Sequence, residues 1–309
     1  MRAIFRKEIA DYFTSIRFIV LFILIFFAAA GGLFAAFQGI RNANPPEGFI
    51  FLGLFTTSGE VIPSLVFFLS ILVPIIGIAL GFDAINSERA GGTLSRILSQ
   101  PIYRDNVING KFLAGIVTLS IMVGTTVLLV SGYGLRMIGV PPTAGEIIRI
   151  FLYLFLVIVY GAFWLGLAIL FSVLLRRVAA SLLISFAVWL FFSFFMLMIA
   201  PSIANAFAPV SEASKQAEII RNAEIQQIVM LFSPNMLFSQ AATALLIPVA
   251  VGSLGVITQA QVAYMLPNPL SLGQSLVLIW PHLTGLISLS VVCFAISYVL
   301  FMRQEIRPV

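Results

Sequence analysis

Apolar residues run through this chain in unbroken blocks. Phe18–Phe37, Val61–Phe82, Phe112–Tyr133, Ile147–Leu175, Val178–Ala200 and Leu283–Met302 are each about 20 residues or longer, the length an α-helix needs to cross a bilayer. Only a helix satisfies every backbone polar group within one segment, so the blocks predict six membrane-spanning helices in an all-α fold. Small residues mark two of them. Ala28 and Gly32 form a seam on the first span. The second carries Pro74, which removes a backbone donor and predicts a kink, and the pair Gly77 and Gly81, whose face either lines a pathway or packs.

Three stretches depart from the apolar pattern. In Met1–Ile16, Ile4, Phe5, Ile9, Tyr12, Phe13 and Ile16 recur at helical spacing, with Arg2, Arg6, Lys7 and Asp11 on the other side. That predicts an amphipathic helix lying in the headgroup layer. The second stretch is the polar island Asp83–Lys111. Ser87-Glu88-Arg89 closes the second span, Gly91-Gly92 breaks it, Thr93 suits an N-cap, and Pro101 stops a short helix Leu94–Gln100. Asp105 then caps the helix that becomes the third span. Leu94, Ile97 and Leu98, flanked by Ser95 and Arg96, give the short helix a small apolar face shaped as a knob for a partner's groove. The third stretch is Pro201–Ile279, between the fifth and sixth spans. Ser214–Gln227 reads as helical, Ile228–Ile247 is interrupted by Pro234, and the apolar run Ala241–Thr258 is broken by Pro248 and two glycines. It reads as a surface or re-entrant segment rather than a seventh span. The whole chain, 1–309, reads as a single transmembrane domain.

Composition narrows the class. Of 309 residues, 61% are hydrophobic and 9% charged. A soluble domain carries about 25% charged residues, so a soluble fold is excluded. The isoelectric point near 9.7 does not signal nucleic acid, because the basic residues lie at the ends of apolar blocks rather than in a patch. With six spans, one face collects Arg2, Arg6, Lys7, Arg17, Arg89, Arg96, Arg104, Lys111, Arg176, Arg177, Arg303 and Arg307, twelve of the 17 basic residues. The positive-inside rule makes that face cytoplasmic, with both termini on it, in the cell membrane. The first apolar block lacks a cleavage site in the right context and is read as a retained span.

The inventory of reactive groups is sparse. No Asp, Glu, Lys or Arg falls well inside the first three spans, the fifth or the sixth, and Arg149 sits at the margin of the fourth. Proton- or sodium-coupled carriers ordinarily need such groups. His282, beside Trp280-Pro281, reads as an interfacial residue, and Glu60 as a solvated helix end. One cysteine, Cys293, permits no intrachain disulfide. No clustering suggests a metal site or an acid–base pair. Gly110-Lys111 does not end a phosphate loop, since Asp105 stands where the earlier glycine belongs and Phe112 follows the lysine. The chain is expected to bind no cofactor of its own and not to be an enzyme. If ATP is used, another chain holds it.

Glu88, Gly92-Thr93-Leu94, Leu98-Ser99, Pro101, Arg104 and Lys111 together resemble the cytoplasmic-loop pattern of type-2 ATP-binding-cassette (ABC) permeases. Arg6-Lys7-Glu8 at the entry to the first helix, and Ser233-Pro234 with Phe238 before the last span, are similar to that family more loosely. The resemblance runs the length of the chain. It implies a six-span exporter subunit working as a homodimer with two separate ATPase subunits, which would hold ATP and Mg. It implies that Met1–Ile16, with Phe5, Arg6, Lys7 and Tyr12, is a connecting helix at the membrane surface. It also implies that Glu88, Arg89, Thr93, Leu94, Ile97, Leu98, Pro101 and Arg104 serve ATPase coupling. The branch with a sizeable outer segment includes permeases associated with nitrous-oxide reductase maturation. This chain lacks the Met, His or Cys clusters copper would require, so that role does not carry over. An amphipathic or lipidic substrate suits the Phe-rich walls. The rival readings are an ion-coupled secondary transporter or channel, and an integral membrane enzyme modifying lipids.

Overall fold

The computed structural model describes residues 1–42, 51–58, 62–100, 103–210, 216–247 and 270–304, and their side chains except at 41, 42, 95, 97 and 98. The described residues are helical throughout their regular structure. In chain order the helices are α1 (Arg2–Thr14), α2 (Ile16–Asn42), α3 (Gly53–Thr56), α4 (Leu65–Gly81), α5 (Asn86–Ala90), α6 (Thr93–Leu98), α7 (Arg104–Ile138) and α8 (Ala144–Leu174). Next come α9 (Val178–Leu190), a π-turn (Phe191–Phe195), α10 (Met196–Phe207), α11 (Gln216–Met230), α12 (Pro234–Leu246) and α13 (Leu272–Arg303). Among the described residues, six helical runs are long and apolar enough to cross a bilayer, which makes this a multi-pass membrane protein.

Three boundaries differ most from the apolar blocks, because a helix does not stop where lipid stops. The third span begins at Arg104 rather than Phe112, since its polar first turns pack on α1. The fifth runs through the π-turn and Pro201 to Phe207. The sixth begins at Leu272 and holds Pro281 internally. Residues 201–207 and 272–279 therefore belong to spans, not to the connecting segment.

The chain divides into two compact units. One comprises residues 1–186 and the chain from 287 onward. Its core is the packing of α4 and α7 on α8. Gly77 and Gly81 face the α8 backbone: a Cβ at Gly77 would lie 2.9 Å from the Gly161 carbonyl oxygen, and one at Gly81 2.8 Å from that of Leu165. The glycine pair is thus a close-packing seam, with Pro74 buried on the same helix. Gly32 of α2 lies against Leu65 at the start of α4. Gly139 ends α7 in the left-handed conformation, with φ 73°. Thr143 and Glu146 then start α8 with a capping box. The same Glu146 carboxylate accepts the backbone N–H groups of Phe51 at 3.0 Å and Leu52 at 3.3 Å, so this buried acid is committed to structure.

In the same unit, α8 and α13 are joined by a ladder. Ser290 Oγ donates to Val159 O at 3.4 Å, Ser297 Oγ lies 3.5 Å from Gly166 O, and Gln304 Nε2 donates to Val173 O at 2.9 Å. The sequence offset is 131 each time, and the steps are seven residues on both strands of the ladder. A constant positive offset means that the two helices run parallel. Parallel fourth and last spans require an odd number of crossings between them. The fifth span supplies one, so the parallel direction fits the six spans found among the described residues, with no single further crossing between the fifth and the last.

The other unit, residues 187–286, holds that α11–α12 pair, bent by 110° at its break. Ser233 caps α12, with Pro234 in the first turn, and its hydroxyl also donates to Phe192 O at 3.0 Å. Asn222 Nδ2 donates to Asn205 Oδ1 and Ala208 O, fixing α11 against α10. His282 lies well inside α13 rather than at its start, buried, 2.8 Å from Gln240 Oε1 and 3.1 Å from Leu278 O. Residues 248–269, which include most of the expected re-entrant run, lie outside the described residues, as do Glu60 and Pro101.

Candidate functional site

The polar island meets both the start and the end of the chain at one end of the first unit. Ile4 and Glu8, one turn apart on α1, form its buried edge. Ile4 sits over Gly110 of α7, where a Cβ would lie 3.0 Å from Ile4 Cγ2. This close approach brings Glu8 alongside Lys111. Lys111 Nζ donates to Glu8 Oε1 at 2.9 Å and to Glu88 Oε1 at 2.8 Å. Lys7 Nζ reaches the same two oxygens at 3.0 and 3.3 Å, and Asp11 at 3.2 Å. Two lysines therefore bridge two glutamates, joining α1, α5 and α7. The Lys111 side chain is only 4% exposed and that of Lys7 50%. Burial alone would lower the Lys7 pKa. Its bonds and attraction to Glu8, Glu88 and Asp11 outweigh that and hold it above the ordinary lysine range.

A second group of contacts surrounds the break between α4 and α5. Ala84 N donates to Gly81 O, which leaves the Leu80 carbonyl free, and the Tyr12 hydroxyl donates to it at 2.9 Å. Burial and the nearby carboxylates of Glu8 and Asp83 push the Tyr12 phenol upward, so it remains a donor. Arg17 pairs with Asp83 and lies 5.2 Å above the Phe82 ring. At the start of α5, the N–H groups of Ile85 and Asn86 donate to Ser172 Oγ at 2.9 and 3.2 Å, so α8 caps α5 in trans. Lys7, Glu8, Asp11, Tyr12, Arg17, Asp83, Glu88 and Lys111 line one cavity of about 320 Å³.

The short helix follows. Gly92, at φ 68°, makes the turn, and α6 begins at Thr93 and ends at Leu98. Thr93 is inside the helix rather than at its N-cap; its hydroxyl reaches back to Glu88 O at 3.2 Å. Asp105 lies one residue inside α7, where Oδ1 accepts the Asn106 N–H at 2.8 Å. Leu94 is 1% exposed and faces the bundle, whereas Arg96 is exposed and Tyr103 is 79% exposed. The side chains of Ile97 and Leu98 lie outside those described. On the far flank, Arg89 donates to Gln304 Oε1, Arg104 donates to Gln304 O at 3.1 Å, and Gln304 Nε2 reaches the end of α8.

Of the residues singled out from sequence, Lys7, Tyr12, Glu88, Arg89, Thr93, Leu94 and Arg104 thus gather at one end of the unit. Arg6 is exposed and Phe5 half-buried on α1. Pro74, Gly77 and Gly81 lie away from this end, in the α4–α8 seam. Sequence reading missed Glu8, Asp83, Ser172 and Gln304 as members of the site. Glu8 left a signal: it falls on the edge shared by Ile4 and Tyr12, an odd place for an unpartnered acid. Gln304 left none. Among the described residues, no group of three or more His, Cys, Asp or Glu could hold a metal ion.

The chain matches the family described as ABC-2 family transporter protein over residues 2–306. It is 32% identical over 141 residues to the "Probable ABC transporter permease protein NosY" of Stutzerimonas stutzeri, covering 43% of this chain and 48% of that protein. It is 31% identical over 121 residues to the protein of the same name from Pseudomonas aeruginosa PAO1, covering 38% and 40%. The similarity therefore spans about half the length of these curated relatives or less. A family match over nearly the whole chain, on a six-span helical fold, establishes that this protein belongs to the ABC-2 family of transporter proteins.

Proposed function

We propose that this chain is the membrane permease subunit of an ABC exporter, worked by two separate ATPase subunits that bind ATP and Mg. Two copies form the pathway, both termini face the cytoplasm, and the substrate is amphipathic or lipidic. The observation that carries the coupling role is the island itself. It joins the second and third spans, presents Arg96 and Tyr103 outward, and is braced to α1 through buried ion pairs. A loop held this way transmits a push instead of absorbing it.

The contact with the ATPase falls on the outward residues of α6 and its flanks, namely Thr93, Arg96 and Tyr103. Glu88 and Leu94 act from within, keeping α5 and α6 on the bundle. Arg96→Glu combined with Tyr103→Ala tests this. The expected result is normal membrane insertion and loss of co-purifying ATPase; undiminished ATPase association would refute the assignment. The proteins named NosY are described as probable ABC transporter permeases, which supports the same reading.

A further inference from the structure

We propose that Gln304 is a positioning residue that ties the coupling loop to the last span, so that the last span moves with the loop. The inference rests on the coupling role proposed above and adds an element to the moving body. Arg89 and Arg104 stand on either side of α6, and both donate to Gln304, one to the side-chain oxygen and one to the backbone carbonyl. The loop is therefore gripped at both of its ends by one residue.

The same side chain also donates to the Val173 carbonyl in the last turn of α8, where helix carbonyls lack intrahelical partners. A primary amide can accept from a guanidinium while donating to a carbonyl; a carboxylate can only accept, and an aliphatic group does neither. Above Gln304, the ladder through Ser297 and Ser290 fixes α13 along α8, and Phe294 stacks on Phe112 of α7 at 4.2 Å. A displacement delivered at Arg89 and Arg104 therefore reaches α13 and the end of α8 as well as α4 and α7.

The test uses the full permease–ATPase complex with Cys293 replaced by serine and spin labels at introduced cysteines. Ile16 paired with Gln100, exposed just after α6, reports the loop, and Ile16 paired with Met302 reports the last span. In the wild type, trapping with a non-hydrolysable ATP analogue is expected to shift both distances. In Gln304→Leu, which removes the Arg89 link and keeps the Arg104 link to the backbone carbonyl, the loop shift is expected to remain and the last-span shift to shrink. Gln304→Glu, which keeps an acceptor for Arg89, is expected to restore the last-span shift. A last-span shift that is undiminished in Gln304→Leu overturns the proposal. So does a simple broadening of the distances in both nucleotide states, which marks a stabilising contact only. Should Gln304→Leu fail to assemble, Arg89→Gln with Arg104→Gln removes both guanidinium links from the loop side, and the last-span shift is expected to be lost. Absence of any loop shift in the wild type would instead sink the coupling role on which the proposal rests.

Discussion

At the scale of single residues, Lys111 is the most consequential side chain at the polar end. It is buried, and its ammonium is shared by two carboxylates. Removing one member of a buried pair strands the opposite charge, at about 3–5 kcal/mol. Lys111→Met is therefore expected to lower the thermal midpoint of the detergent-solubilised protein sharply. Lys7→Met, at a half-exposed position, should cost only about 0–1 kcal/mol. Equal losses would show that burial does not set the hierarchy. The pH dependence follows from the direction of the Lys7 shift. A lysine whose folded pKa is raised contributes in full below its unfolded value of about 10.4, and the contribution is lost only as pH rises through the folded value. The stability gap between wild type and Lys7→Met should thus stay constant from neutral pH to about pH 10 and close above it; a gap closing near neutrality contradicts this. Lys7 and Glu88 were legible as charged residues at block ends. Their partnership was not, because 81 residues separate them.

At the scale of elements, packing decides what patterns leave open. Gly77 and Gly81 were readable as a small-residue face but not as seam or pathway. The α8 backbone settles the matter, since carbonyl oxygens cannot move aside as a flexible side chain can. Gly81→Ala is expected to destabilise by roughly 1–3 kcal/mol through overpacking. Gly124→Ala, on α7 where a Cβ meets nothing within 4 Å, is expected to stabilise by roughly 0.5–1 kcal/mol. Equal effects in chemical or thermal unfolding would argue against the seam. The short helix α6 was foreseen within two residues of its extent, from glycines and polar punctuation. The inward orientation of Leu94 was not, because a six-residue helix carries too little periodicity to show which face is covered. The expected headgroup helix is likewise an element with a packed edge, at Ile4 and Glu8, along α7.

At the scale of the whole molecule, topology follows from register. The fixed offset between α8 and α13 makes them parallel, which fits the six spans of the described residues. Contacts of α1 and Gln304 with the island bring both ends of the described chain to the same side. With Cys293 replaced, single cysteines at Arg2, Arg96 and Arg303 should react with an impermeant maleimide from one face of the membrane. A cysteine at Val140, in the turn between α7 and α8, should react from the opposite face. Labelling of Arg303 from the face that exposes Val140 would overturn six spans.

The sequence by itself determined the solvent, the six long apolar segments and the polar end. These depend on the length and polarity of contiguous segments, and a bilayer imposes them on each segment separately. Only the tertiary structure decided which glycines touch backbone, which acids are spent on capping, and how the two chain ends grip the island. Those outcomes depend on residues far apart in sequence meeting at distances of a few ångströms. Lys111 with Glu8 and Gln304 with Arg104, 103 and 200 residues apart, are such meetings, and no local pattern carries them.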